Sequence, residues 1–241
     1  MNEEFERATV GEIVAADFRT ARVFEQFGID FCCGGQRSVA EACRAAAADP
    51  EAVERALQAL PPVGDDDDQD PRRWRLGQLI DHILITHHMY VRTSIPLISR
   101  YLEKLWGVHG QRHPELGRIR AAFAELSEVL LQHMRKEEFV LFPYLRELGK
   151  MAESQSLPSP FGTVENPIRM MEREHQEAGD QMRLIQELTD DYTAPADGCA
   201  TYRACFAELA QFERDLHRHV HLENNVLFPR AVEIEHRSWR G

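Results

Sequence analysis

The chain has 241 residues, 43% of them apolar, and a formal charge of −12 at pH 7. That length admits one large domain and a small one, and the apolar share is enough for a buried core. The acidic excess, with no concentrated basic patch, excludes a nucleic-acid partner that would have to be held through its phosphates.

The first residues, Met1 to Glu6, are acidic and lack the basic start and apolar stretch of a secretory signal. No run reaches the ~18 apolar residues that a membrane span takes, so a soluble cytoplasmic protein without a membrane partner is expected. The five cysteines, odd in number, are expected to be reduced thiols rather than a disulfide framework.

Residues 9 to 60 carry helix punctuation. Thr9-x-x-Glu12 and Ser38-x-x-Glu41 read as capping boxes, and Asp49-Pro50 as an N-cap followed by proline at the first helical position. A small helical domain over 1–62 is expected, stopped by Pro61-Pro62. Within it, Phe31-Cys32-Cys33-Gly34-Gly35 predicts a turn just before the helix capped at Ser38. A thiol there would lie near a helix N-terminus, where the dipole favours thiolate, so Cys32 and Cys33 are candidate redox residues. The competing expectation is two buried cysteines packed beside Phe31. Cys43, Cys199 and Cys205 fall in helical patterns and read as packing residues.

An acidic linker over 63–73, containing Asp65 to Asp68 and Asp70, follows. Beyond it, apolar residues recur at helical spacing in four blocks, about 73–105, 115–149, 167–190 and 198–234, separated by glycine and proline clusters. No segment alternates with period two, so the fold is expected to be all-α, with an antiparallel four-helix bundle over 74–241.

Two of these blocks repeat one pattern. His133-x-x-x-Glu137-x-x-x-Leu141-Phe142-Pro143 recurs as His219-x-x-x-Glu223-x-x-x-Leu227-Phe228-Pro229, and an apolar turn with proline is expected to end each helix. The i, i+4 spacing puts an imidazole and a carboxylate on one helical face. A single His-x-x-x-Glu is common as a surface ion pair, but surface pairing does not demand the same register twice. Each copy also has a histidine upstream, His175 for the second and the pair His87-His88 for the first. His175 lies on the apolar stripe of Ile168, Met171, Met182 and Ile185. On the first helix the stripe of Ile80, Leu84, Val91, Ile95 and Ile98 passes closer to His87, and periodicity leaves His87 and His88 both open. Imidazole with carboxylate suits iron or manganese, and also admits zinc and copper. Each glutamate could bridge two ions and leave coordination positions open. Glu138 and Glu174 adjoin ligand positions and could tune the site, although a solvated face is the commoner explanation. His217 and His221, turned off the face of His219, read as solvated or supporting residues. His82, His109, His113 and His236 read as background.

Three segments carry a resemblance over essentially the whole chain: Asp30-Phe31-Cys32-Cys33-Gly34-Gly35, Glu172-Arg173-Glu174-His175-Gln176-Glu177-Ala178-Gly179, and His219 to Arg230. They resemble the iron–sulfur cluster repair di-iron family of the ScdA/YtfE type. The resemblance implies a haemerythrin-like four-helix bundle holding two non-haem iron ions, carboxylate-bridged and oxo-bridged when oxidised. Its ligands fall on His88, His133, Glu137, His175, His219 and Glu223, and it favours His88 over His87. In oxygen-carrying haemerythrins the third helix brings a second histidine where this chain has Gly179, which weakens an oxygen-carrier reading. The function implied is support for repairing iron–sulfur clusters damaged by nitric oxide or oxidative stress. Damaged iron–sulfur proteins would be transient partners, with nitric oxide or dioxygen as small ligands and a homodimer as a candidate assembly. Redox chemistry of the nitric oxide reductase type, a labile-iron donor and a ligand sensor are the competing uses of such a centre.

Overall fold

Thr9, Ser38 and Asp49 each start a helix, because their side chains accept a backbone N–H that the first turn leaves without a partner. Thr9 with Glu12 and Ser38 with Glu41 form complete capping boxes around α1 (Val10–Ala16) and α3 (Val39–Ala45), and Asp49 caps α4 (Pro50–Gln58). Between α1 and α3 lies α2 (Thr20–Gln26). It ends at Gly28, whose φ of 67° is a left-handed conformation that glycine adopts without steric cost. The computed structural model describes residue 5 and residues 7–61, 70–150 and 158–239. The acidic N-terminal residues other than Phe5, Pro62, and the run Asp65 to Asp68 lie outside them.

Three further stretches are interrupted helices. The first is α5 (Leu76–His82), a π-helical turn over Ile83–His88, and α6 (Met89–His109). The second is α7 (Glu115–Lys136), a π turn over Glu137–Leu141, and α8 (Phe142–Leu148). The third is α10 (Ala200–Leu222), a π turn over Glu223–Leu227, and α11 (Phe228–Trp239). A fourth long stretch, α9 (Glu165–Leu188), is uninterrupted. Each π turn is marked by a backbone bond spanning five residues, from Met89 to Leu84, Phe142 to Glu137 and Phe228 to Glu223. In the second and third, the proline after the donor has no N–H to continue the ordinary ladder. The Leu-Phe-Pro endings therefore do not stop the helices, as the sequence led us to expect. The wider turn absorbs each proline, and the helix resumes.

The chain divides into two compact units: Met1–Ile80 with Leu145–Glu165 and His217–Gly241, and Asp81–Tyr144 with Asn166–Leu216. In the first, the starts of α1 and α3 are tied together by Val10 N–H to Arg37 O, Gly11 N–H to Gly35 O and Val39 N–H to Ala8 O. Val10, Val14, Phe24, Phe31, Val39 and Val53 form the buried interior of this N-terminal part. In the same unit the buried Glu235 carboxylate accepts the Val164 N–H just ahead of α9.

The second unit is an antiparallel bundle of α6, α7, α9 and most of α10. The short connection from Gly110 to Pro114 folds α7 back along α6. Leu102, Ile119, Phe123, Met182, Phe206 and Phe212 fill the interior, with the Phe123 and Phe212 rings edge to face at 5.5 Å. Among the described residues there is no strand, only an isolated bridge between Thr9 and Ser38. No helix there is long and apolar enough to cross a membrane.

Candidate metal centre

The π turns are where the sequence-predicted ligands stand. Glu137 and Glu223 each open one, with His133 and His219 a turn earlier, and His88 closes the first. Within the second unit, Glu137 presents its two carboxylate oxygens to different histidines. Oε2 lies 3.4 Å from His88 Nε2, and Oε1 lies 3.2 Å from His133 Nε2. His175, from α9, brings its Nε2 to 2.9 Å from His133 Nε2. That separation matches two neighbouring ligands of one ion when each metal–nitrogen bond is about 2.0–2.1 Å. His133, Glu137 and His175 each offer a ligand atom within 4.8 Å of the others. All four side chains are at most 2% exposed.

The outward ring nitrogens of two of these histidines are held by carboxylates. His88 Nδ1 is 2.8 Å from Glu138 Oε1, and both Glu138 oxygens accept from Arg92. His133 Nδ1 is 2.9 Å from Glu174 Oε2, whose other oxygen accepts from Lys136. Such a carboxylate keeps the proton on Nδ1 and turns the lone pair of Nε2 toward the site. Burial raises the Glu138 carboxyl, but the bonds from Arg92 and His88 outweigh it and leave it below its usual range. Glu174 is brought down to about 2, chiefly by its bond with His133. Both carboxylates are therefore charged at neutral pH. They are not the solvated face that was the commoner expectation from the sequence.

In the first unit, His219 Nε2 stands 3.0 Å from Glu223 Oε1, both buried. The same π turn grips the Cys-Cys-Gly-Gly loop. Asn225 Nδ2 donates to Cys32 O at 3.2 Å, and the His221 ring lies against Phe18 and Phe31. The fit is close enough that a Cβ on Gly11 or Gly35 would meet Asn225 Oδ1 at 2.4 or 2.5 Å. His221 is thus buried rather than solvated, and burial takes its pKa down to about 4, so it is neutral at neutral pH.

The loop itself is an Asp30 turn, whose carboxylate accepts the N–H groups of Cys32 and Cys33, each at 3.0 Å. The two sulfurs lie 3.9 Å apart, and Cys32 Sγ donates to Asp30 Oδ1 at 3.2 Å. The neighbouring Cys33, together with burial, raises the Cys32 thiol well above its usual range. The expected helix-stabilised thiolate at Cys32 is therefore corrected to a protonated thiol. The start of α3 is satisfied by its own capping box, and an acidic side chain faces the sulfur.

His87, the neighbour of His88, is also buried, but its Nδ1 lies 3.0 Å from Asp215 Oδ1. In an unbroken α-helix the apolar stripe would carry His87 inward. The π turn adds one residue to the coil just before it, so the register slips and His88 takes the position facing Glu137.

Residues 79–231 match the family described as "Hemerythrin HHE cation binding domain", and residues 6–61 match ScdA_N, a "Domain of Unknown function (DUF542)". Proteins named "Iron-sulfur cluster repair protein YtfE" align along almost their whole length. The one from Enterobacter sp. (strain 638) is 33% identical over 234 residues, 96% of this chain and 99% of the relative. That of Musicola paradisiaca (strain Ech703) is 34% identical over 235 residues, with the same two coverages. That of Yersinia pestis is 34% identical over 236 residues, 96% of this chain and all of the relative. The chain belongs to the YtfE-type iron–sulfur cluster repair family. Its fold is accordingly the all-α one of that family, a haemerythrin-like four-helix bundle with a small N-terminal helical domain, and the bundle is a cation-binding domain.

Five residues have surroundings that the sequence undervalued or gave no sign of. Glu138 and Glu174 had a signal, adjacency to ligand positions. Asp215 had one too, four residues before His219 on the same helix. Asn225 had none, since nothing in an isolated helix distinguishes an asparagine that reaches a distant loop. Cys199, expected to be a packing residue, is exposed just before α10, whereas Cys43 and Cys205 are buried.

Proposed function

We propose that His88, His133, Glu137, His175, His219 and Glu223 together hold two non-haem iron ions bridged by Glu137 and Glu223, and that the protein supports repair of iron–sulfur clusters damaged by nitric oxide or oxidative stress. The observation that carries this reading is the Glu137 carboxylate, which addresses His88 with one oxygen and His133 with the other. A carboxylate placed in that way is suited to span two ions. Glu223 opens the equivalent π turn of the internal repeat, with His219 in the place of His133. The full-length likeness to proteins named for iron–sulfur cluster repair adds the physiological direction.

Two irons held by nitrogen and carboxylate ligands would supply one-electron redox chemistry and open coordination positions for a small ligand such as nitric oxide or dioxygen. The protein's own groups prepare the site. Glu138 and Glu174 fix the tautomers of His88 and His133, Glu137 and Glu223 supply negative charge, and burial of the donors keeps bulk water away. Cys32 and Cys33 would deliver electrons: joining their two sulfurs in a disulfide releases two electrons and two protons, with Asp30 beside Cys32 to take a proton. Asn225 fastens this loop to the helix that carries Glu223. On this reading the protein is an oxidoreductase of the nitric oxide reductase type, active in the cytoplasm as a homodimer that docks transiently on damaged iron–sulfur proteins.

The test is elemental analysis and visible spectroscopy of anaerobically purified protein, followed by nitric oxide turnover under reducing conditions. About two irons per chain, with consumption of nitric oxide that falls in Cys32→Ser/Cys33→Ser, is the expected result. One zinc per chain, or no metal, overturns the centre. Irons that leave the protein as a damaged cluster is rebuilt, without nitric oxide turnover, replace the redox reading with that of an iron donor.

A further inference from the structure

Of the five cysteines, Cys199 alone is exposed; Cys32, Cys43 and Cys205 are buried and Cys33 is half-buried. It stands at the start of α10, a helix of 23 residues. Its thiol opens on a pocket of about 380 Å3 that is lined also by Lys104, Val108, His109 and Thr201. None of the six proposed metal ligands lines this pocket.

His109 is the second and independent feature. It closes α6, is 5% exposed, and neither ring nitrogen has a hydrogen-bond partner other than the Cys199 thiol that it faces. Buried polar groups are normally satisfied, so an imidazole that faces a pocket in this condition marks a place where something else binds or exchanges a proton. The ring is not loose. It packs edge-on against Tyr202 at 5.5 Å and against His113 at 6.3 Å. Across the pocket, the Lys104 ammonium donates to Thr201 Oγ1 at 3.2 Å, which places a cation within the same recess.

We propose that Cys199 is a reactive thiol that exchanges with low-molecular-weight disulfides carrying a carboxylate, with His109 as the proton acceptor and Lys104 as the partner of the carboxylate. The thiol's surroundings suit that role. Its pKa is brought down to about 7, first by the His109 imidazole and then by backbone N–H groups of Tyr202 and Thr201 at the helix start, against a small opposing effect of burial.

The exchange balances without a further reagent. Cys199 passes its proton to His109, and its sulfur attacks one sulfur of the disulfide. The bond from that sulfur to its partner breaks as the bond to Cys199 forms. The departing sulfur carries away the electron pair, recovers the proton from His109 and leaves as a thiol. The protein ends with a mixed disulfide at Cys199.

The experiment uses the full chain, with peptide mass spectrometry reading each cysteine. Iodoacetamide, a neutral probe, should alkylate Cys199 at least about tenfold faster at pH 7 than any other cysteine, with a half-maximal rate near pH 7. The titratable groups facing the sulfur are His109 and Lys104, with Asp197 two residues away and joined to His113. In His109→Phe, or in His109→Gln if the first does not fold, the midpoint should rise toward about 8.5 and the rate at pH 7 fall about tenfold. Oxidised glutathione should form a mixed disulfide at Cys199. Lys104→Ala should slow that reaction several-fold and leave the iodoacetamide rate unchanged. A Cys199 that reacts like free cysteine, an unchanged rate in the His109 variants, or alkylation without mixed-disulfide formation overturns the proposal. Equal slowing of both reagents by Lys104→Ala removes the carboxylate from it.

Discussion

His88 Nε2 lies 3.4 Å from Glu137 Oε2, the oxygen that His133 does not face. This relationship distinguishes two adjacent histidines between which periodicity does not decide. His88→Ala should lower iron content markedly, measured by elemental analysis of protein purified without oxygen. His87→Ala should keep its iron, yet lose about 1–3 kcal/mol of stability in denaturant unfolding, because it strips the buried Asp215 of its partner. Iron lost from His87→Ala and kept in His88→Ala would return the site to the α-helical stripe.

The carboxylates behind the ligands give a graded prediction. Glu138→Gln and Glu174→Gln leave the ligand atoms in place but remove the charge from His88 Nδ1 and His133 Nδ1. Each should weaken metal retention roughly 10–100-fold in competition with a chelator, the range for partners of metal-bound histidines. Retention equal to the unmodified protein would show that these carboxylates serve only Arg92 and Lys136.

Removal of the bridges should act more strongly. Glu137→Ala and Glu223→Ala should each lower the iron bound per chain. Chelation of the unmodified protein should lower its Tm by several degrees, because ligands that bind only the folded chain stabilise it by about 2.7 kcal/mol at a hundredfold excess over Kd. The same chelator should leave the Tm of Glu137→Ala/Glu223→Ala almost unmoved, and a full-sized fall there would place the stabilising metal elsewhere.

The grip of Asn225 on the cysteine loop can be read by a pair of substitutions. In Gly11→Ala the new methyl meets the Asn225 side chain at 2.4 Å, with the nearest backbone atom at 3.0 Å, and in Gly35→Ala it also meets the Phe31 carbonyl oxygen at 2.7 Å. Both should destabilise the fold by about 1–3 kcal/mol. Asn225→Ala should recover part of the loss in Gly11→Ala and little of it in Gly35→Ala, since a backbone oxygen cannot move aside. Equal recovery in both would mean that the loop shifts freely against the helix.

The all-α class, the capping boxes at Thr9 and Ser38, and the repeated His-x-x-x-Glu were legible because each depends on residues three or four apart, the range over which an α-helix orders its own side chains. His175 was legible for the same reason, since it falls on an unbroken stripe of its helix. The choice of His88 was not legible from periodicity, because a π turn adds one residue to the coil and leaves no trace in apolar spacing, so there only the family resemblance pointed to it. Glu138 and Glu174 acquired their roles from histidines 50 and 41 residues away, and Asn225 from a loop 193 residues away. The charge state of Cys32 and the exposure of Cys199 were likewise set by what tertiary packing brings to each sulfur. Short-range order is written in spacing, whereas the partners of a buried polar group are decided only when separate helices meet.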